Sequence, residues 1–347
     1  MSSKFENYLN THNEAAWLET VESLAADIHE VDRNAVRIWF RFFPLELFRY
    51  LESAEDLEAT VKRLAIQGNY RVKDQIDTSH HFVYGHRFWP EVKSAIIAEN
   101  ERFDGSEPTL GDVITNIARV VSERSKAPVS LTLGISAIGL MTLVQSGLEA
   151  FKSSPGTVKK PSGLMASSPD KIVRERAKDS SQGLFGFLKT IDKTFRVNYK
   201  TPSFTGDFEI IKDEEITSAS AKDRSRDWQS ADHRCWEGVV PVECKSAACG
   251  TCWVGVLGGT EKLTEVERLE HNATELFGYN QPEGDKPYLR LACQSRAHGD
   301  VTIVVPPWNG VFGREVYGVD HIELEPATTS AKKNRTIVKD AVKNQLM

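Results

Sequence analysis

Apolar residues recur at three- and four-residue steps through roughly the first hundred positions, and at two-residue steps beyond position 193. The chain therefore reads as a helical part followed by a strand-rich part. In NEAAWLETVESLAADIHEVD, Ala16, Leu18, Val21, Leu24, Ala25 and Ile28 mark one face of an amphipathic helix. VRIWFRFFPLELFRYL places Trp39, Phe40, Phe42, Phe43, Leu45, Leu47, Phe48, Tyr50 and Leu51 with almost no polar face, and Pro44 should break or kink it. AEDLEATVKRLAI, with Leu57, Val61, Leu64 and Ala65, predicts a third helix. SHHFVYGHRFWPEVKSAIIAE predicts a fourth, from Ser79 to Glu99, capped by Ser79 and interrupted at Pro90. Such an aromatic-rich bundle either buries its own core or offers an apolar face to a partner.

APVSLTLGISAIGLMTLVQSGLEAF, from Ala127 to Phe151, carries no charge before Glu149. Its length suits a membrane span. Ser130, Thr132, Ser136, Thr142, Gln145 and Ser146 dilute it, however, and the lysines and arginines that follow would orient a folded acidic domain outward. The reading is a buried core helix over 127–148, with peripheral or re-entrant membrane association as the alternative. Gly134, Ala137 and Gly139 would allow close helix packing in either setting.

From Ser153 the chain turns rich in Pro, Gly, Ser and Lys, which reads as a linker. FRVNYKT and FEIIK then alternate around the turn TPSFTGD, a β-hairpin pattern. SASAKDRSRDWQSADHRCWEG reads as a polar helix with Gly238 as its C-cap. CWVGVLGG is a strand entering a Gly-Gly turn, LTEVERLEHNATELFG a helix, and YLRLACQSRAHGDVTIVVPP two further strands.

The bulk composition narrows the class. At 347 residues two domains are expected. A net charge of −6 excludes nucleic acid as the main partner, since phosphate binding needs a basic footprint. The opening MSSKFENYLNTHNEAAW has no apolar core and carries Glu6 and Glu14, so the expected location is cytoplasmic. In that compartment a cysteine cluster points to metal or catalysis rather than disulfides.

Three of the five cysteines fall in VECKSAACGTCWVGVLGG: Cys244, Cys249 and Cys252, a C-x4-C-x2-C spacing. Cys293, in LRLACQS, makes a fourth. C-x4-C-x2-C…C is the spacing of [2Fe–2S] proteins, in which two thiolates serve each iron. Only Lys245 is large among the residues between these cysteines, so the backbone could fold over inorganic sulfide and aim amides at it. Tetrahedral zinc remains the alternative, although structural zinc sites usually pair two compact knuckles. A thioredoxin-type redox pair fits poorly, because Cys249 and Cys252 do not open a helix after a strand. Cys235 reads as a buried thiol, with a spare-ligand role as the alternative.

With ACGTC and RLACQ in hand, the segment from about Lys193 to Ile322 resembles a plant-type ferredoxin domain of the β-grasp kind. Strand pair, helix, cysteine loop, strand, helix and the two last strands follow in that family's order. The resemblance departs in three places: a longer stretch before Cys293, a polar segment before the loop, and Ala247 where many members have glycine. It implies a [2Fe–2S] cluster held by Cys244, Cys249, Cys252 and Cys293, with a potential on the order of −400 mV. It also implies docking of redox partners through an acidic face, here Glu261, Glu265, Glu267, Glu270 and Glu275, with a plain solvated helix face as the alternative.

The expected architecture is α+β. It comprises a helical domain over 1–152, a polar linker over 153–192, a ferredoxin-like domain over 193–322 and a tail over 323–347. The expected function is a one-electron carrier, docked by its helical domain to a larger oxidoreductase or membrane complex. Its partners would be an electron-donating reductase and an electron-accepting oxidoreductase. A redox-sensing or assembly role is the alternative. No GxGxxG follows a strand, so no flavin or nicotinamide site is read, and the chain is expected to be an electron-transfer protein or oxidoreductase subunit rather than a complete enzyme. His80, His81 and His86 allow a haem, metal or quinone site, against the plainer reading of histidines hydrogen-bonded at an aromatic helix. Trp253 either shields the cysteine loop or packs in a strand.

Overall fold

The structure is a computed structural model and describes residues 2–178, 193–281, 286–324 and 341. It is a mixed α+β protein whose chain groups into two compact units. In chain order the helices of the first part are α1 Lys4–Asn10, α2 Glu14–Ser23, α3 Glu30–Phe42, α4 Leu45–Glu52 and α5 Leu57–Arg63. Strand β1 (Gln67–Gly68) precedes α6 Trp89–Arg102, α7 Leu110–Ser125, α8 Val129–Ser146, α9 Leu148–Ser153 and α10 Pro169–Ala177. Then follow β2 Thr194–Lys200, β3 Thr205–Ile211, α11 Ile216–Ser220, α12 Trp228–Ala231 and β4 Trp253–Gly258. The chain closes with α13 Arg268–Phe277, β5 Leu289–Leu291, β6 Val301–Val304, β7 Trp308–Asn309 and α14 Gly313–Tyr317.

The first unit is built around α8, which packs against α1, α3, α6, α7 and α9. Of its apolar window, 83% is buried within the structure. Its buried hydroxyls are satisfied by carbonyls one turn back: Ser136 donates to the Thr132 carbonyl and Thr142 to the Ile138 carbonyl, each at 2.8 Å. Thr132 also donates to Ala118 (2.9 Å), and Gln145 to the Phe43 carbonyl (2.8 Å). Gly139 is required by closeness: a Cβ there would stand 2.7 Å from Val92 and 2.8 Å from Ile96.

Several expected elements differ. The predicted helix over 13–32 is split, with α2 ending at Ser23 and α3 starting at Glu30. Pro44 does break the aromatic run, and caps α4. The helix expected from Ser79 begins only at Trp89, after turns and a short 3-10 segment, Tyr84–Phe88. Pro90 lies in its first turn, where its missing N–H costs nothing. The segment read as a linker is ordered as far as it is described. Asp77 accepts from Gly156 N (2.8 Å) and Thr157 N (3.1 Å), and Ile172 of α10 packs with Val31, Tyr84 and Leu131. The rest of that segment, 179–192, and most of the tail lie outside the described residues.

The second unit contains Asp56–Gly68 as well as the chain from Arg176, so α5 and β1 belong with it rather than with the helices around them. β1 pairs with β7, Gln67 opposite Asn309. The main sheet has the order β3-β2-β6-β4-β5. β2 and β3 form the expected antiparallel hairpin, with Phe195, Val197, Tyr199, Phe208 and Ile210 on its buried face. β2 runs parallel to β6, whereas β4 is antiparallel to both β6 and β5. The polar helix expected through Gly238 is instead α11 and α12 joined by turns. Gly238 is no C-cap. Ser220 leaves no room for a Cβ there.

Candidate metal centre

The loop from Cys244 to Cys252 leads directly into β4, and Cys293 lies two residues beyond the end of β5. Those strands are antiparallel neighbours with Trp253 opposite Leu291, and Ala292 N–H donates to the Cys252 carbonyl at 3.0 Å. The sheet register therefore carries the distant cysteine to the loop. Cys244, Cys252 and Cys293 are buried and Cys249 is half-buried.

The loop backbone is turned inward by left-handed residues: Lys245 at φ +57°, Ala247 at φ +57° and Gly250 at φ +67°. Such reversals point successive amides into one concavity, an arrangement suited to anions. Ser246 N–H (3.4 Å) and Ala248 N–H (3.3 Å) both donate to Cys244 Sγ. Ala247 N–H donates to Cys293, as does Gln294 Nε2 at 3.3 Å. Thr251 Oγ1 donates to Cys249 Sγ at 3.1 Å, and the Cys293 amide serves Cys252. Every one of the four sulfurs thus has a donor.

The thiols also contact one another, Cys244 with Cys249 and Cys252 with Cys293. Donation from the Cys249 thiol and from loop amides lowers Cys244 to about 5 against the cost of burial. Cys293 is lowered in the same way, first by Cys252. The two donors, Cys249 and Cys252, are pushed up by that role and by desolvation. Among the described residues no three His, Cys, Asp or Glu side chains converge on a single-ion site.

The remaining candidates separate clearly. Cys235 is buried and donates to the Val239 carbonyl (3.3 Å), and desolvation raises it to about 12. Trp253 is buried in β4 and stacks on Tyr279 at 3.4 Å, whose hydroxyl bonds both polar atoms of the Gly310 backbone. The acidic face is not one helix surface. Glu261, Glu265 and Glu267 precede α13 and are exposed, and Glu275 is half-buried. Glu270 is 1% exposed and paired with Arg290. Sequence reasoning counted Glu270 as surface; its pairing was visible only as an arginine inside RLACQ. Thr251 and Gln294 lie within ACGTC and RLACQ, yet nothing in the spacing of those motifs marks them as donors to sulfur.

His80 and His86 lie not at a surface but inside the first unit, Nδ1 to Nδ1 at 2.9 Å. His80 Nε2 reaches the Ile76 carbonyl (3.2 Å), and Lys159 N–H donates to His86 Nε2 (3.3 Å). These ends set the tautomers: His86 carries its proton on Nδ1 and donates to His80. The His81 ring packs against His86, with centroids 4.5 Å apart. Asp77 closes the network, accepting from Trp89 Nε1 (2.8 Å) and Ser154 Oγ (3.1 Å).

No family model, curated protein or solved structure matches the chain.

Proposed function

We propose that the second unit is a ferredoxin-like electron carrier holding one [2Fe–2S] cluster on Cys244, Cys249, Cys252 and Cys293. The observation that carries this reading is the amide-lined loop. Three successive N–H groups, Ser246, Ala247 and Ala248, donate to thiol sulfur from a backbone bent by left-handed residues. Donors of that kind stabilise negative charge on sulfur and tune potential.

The residues fit the group on two further counts. The donor set is four thiolates in the C-x4-C-x2-C…C spacing, and the side chains between Cys244 and Cys252 are small apart from Lys245, which turns away to Glu237 at 2.7 Å. The sheet order, with the unit's first and last long strands parallel and adjacent, supports the β-grasp reading and with it the resemblance in ACGTC and RLACQ. When bound, such a cluster supplies a site for one electron at low potential. This chain's residues hold it, exclude water by burying three of the four thiols, and counter added charge through the loop amides. The partners are a reductase that donates single electrons and an oxidoreductase that accepts them, with the helical unit as the docking element.

Anaerobic purification with metal counting, followed by electron paramagnetic resonance before and after dithionite, tests this. Two irons per chain and a spin-half signal only after reduction support the reading. A colourless protein with one zinc removes it.

A further inference from the structure

A cluster shared between two distant chain segments requires both to be held in one geometry, and α13 touches both. At its C-terminal end, Phe277 lies against Gly250 within the cysteine loop; a Cβ on that glycine would meet the ring at 3.0 Å. Near its N-terminal end, Glu270 reaches β5. Arg290 Nε and Nη2 donate to the two carboxylate oxygens at 2.8 and 2.9 Å, and Leu291 N–H donates to Oε1 at 2.7 Å. Leu291 stands two residues before Cys293.

β5 is three residues long and forms an edge of the sheet, so it has little ladder of its own to hold it. Glu270 and Arg290 are 1% and 2% exposed. A buried ion pair of this kind seldom adds net stability over apolar side chains of similar volume, but its fork geometry gives register. We infer that Glu270 and Arg290 are positioning residues for the metal centre: through the Leu291 amide they fix Cys293 against the Cys244–Cys252 loop. The inference rests on the [2Fe–2S] reading above. It adds that the buried member of the acidic set serves ligand placement, not partner docking.

The test compares full-length wild type, Glu270→Gln, and the double variant Glu270→Leu/Arg290→Met, all purified anaerobically. Glutamine keeps an acceptor for Leu291 N–H, whereas the double variant removes the lock while leaving no buried charge unpaired. Near-ultraviolet circular dichroism and thermal melting identify which variants retain the fold. In a folded variant lacking the lock, iron should pass to an external chelator at least about tenfold faster than in wild type, as outer-shell changes typically weaken metal sites. The reduced-state resonance should broaden, and the Leu291 amide should exchange faster even in metal-free protein. Unchanged release, resonance and exchange in the folded double variant would overturn the inference while leaving the cluster intact. Wild type without iron would instead remove the cluster reading itself, before any variant is compared.

Discussion

The buried histidine relay makes an acid-stability prediction that can be worked quantitatively. His86 is lowered to about 3, first by desolvation and then by the neighbouring His81; Arg87 adds to this and Asp77 opposes it. His80 is lowered too, chiefly by burial and by His86. Proton placement agrees, because a second proton between the Nδ1 atoms would set two donors face to face at 2.9 Å. An unfolded histidine titrates near 6.5, so the unfolded chain takes up the proton first. The stabilisation is therefore fully present above about pH 6.5 and drains as pH falls toward 3. Between about pH 7 and pH 5 His86 alone should cost the first unit about 2 kcal/mol, and His80 adds in the same direction. Most carboxylates titrate below that window. Urea unfolding at the two pH values, read through hydrogen exchange of the α8 amides, measures the loss. His86→Gln keeps a donor and an acceptor but does not titrate, so its loss should be smaller by the His86 share. Equal losses in wild type and His86→Gln would show that the imidazole is not held neutral by the fold.

Replacing Cys244, Cys249, Cys252 or Cys293 by Ser should each cut bound iron well below two per chain on metal analysis. Cys235→Ser should retain the full load, since its neighbour is the Val239 carbonyl and not another thiol; loss of iron there would make it a ligand. Gly250→Ala places a side chain at φ +67° against Phe277 and should lower urea stability of the second unit by about 1–2 kcal/mol. A neutral result would mean that the loop is free to shift. Asp77→Ala leaves Trp89 Nε1 and the Gly156 and Thr157 amides without their acceptor and should cost about 1–3 kcal/mol, with faster exchange at the Gly156 and Thr157 amides; unchanged exchange would refute the clamp.

Much of this protein is local in origin and was legible along the chain. The alternation of Phe195, Val197 and Tyr199 specifies which face of β2 is buried, because side chains in a strand change sides at every residue. Pro44 ends an aromatic run because it lacks an N–H, and Gly278 (φ +89°) closes α13 because few other residues adopt that conformation. Three of the cysteines stand together by spacing, whereas Cys293 reaches their loop through the pairing of β4 with β5. Periodicity, however, reports a face and never its partner. Glu270 looked like one more surface acid until β5 brought Arg290 beneath it. His80 and His86 read as histidines of one helix, bonded at its surface or to a neighbour; turns, not a helix, fold them onto each other. Asp77 holds Gly156 and Thr157 across a long span of chain, so the segment that composition marks as a linker is tied down. Asp56–Gly68 reads as one more helix of the first part, yet it joins the sheet unit because β1 pairs with β7. Composition and period determined which residues are apolar and which elements form. Strand pairing and the satisfaction of buried charge decided which of them meet, since both depend on groups far apart in the chain.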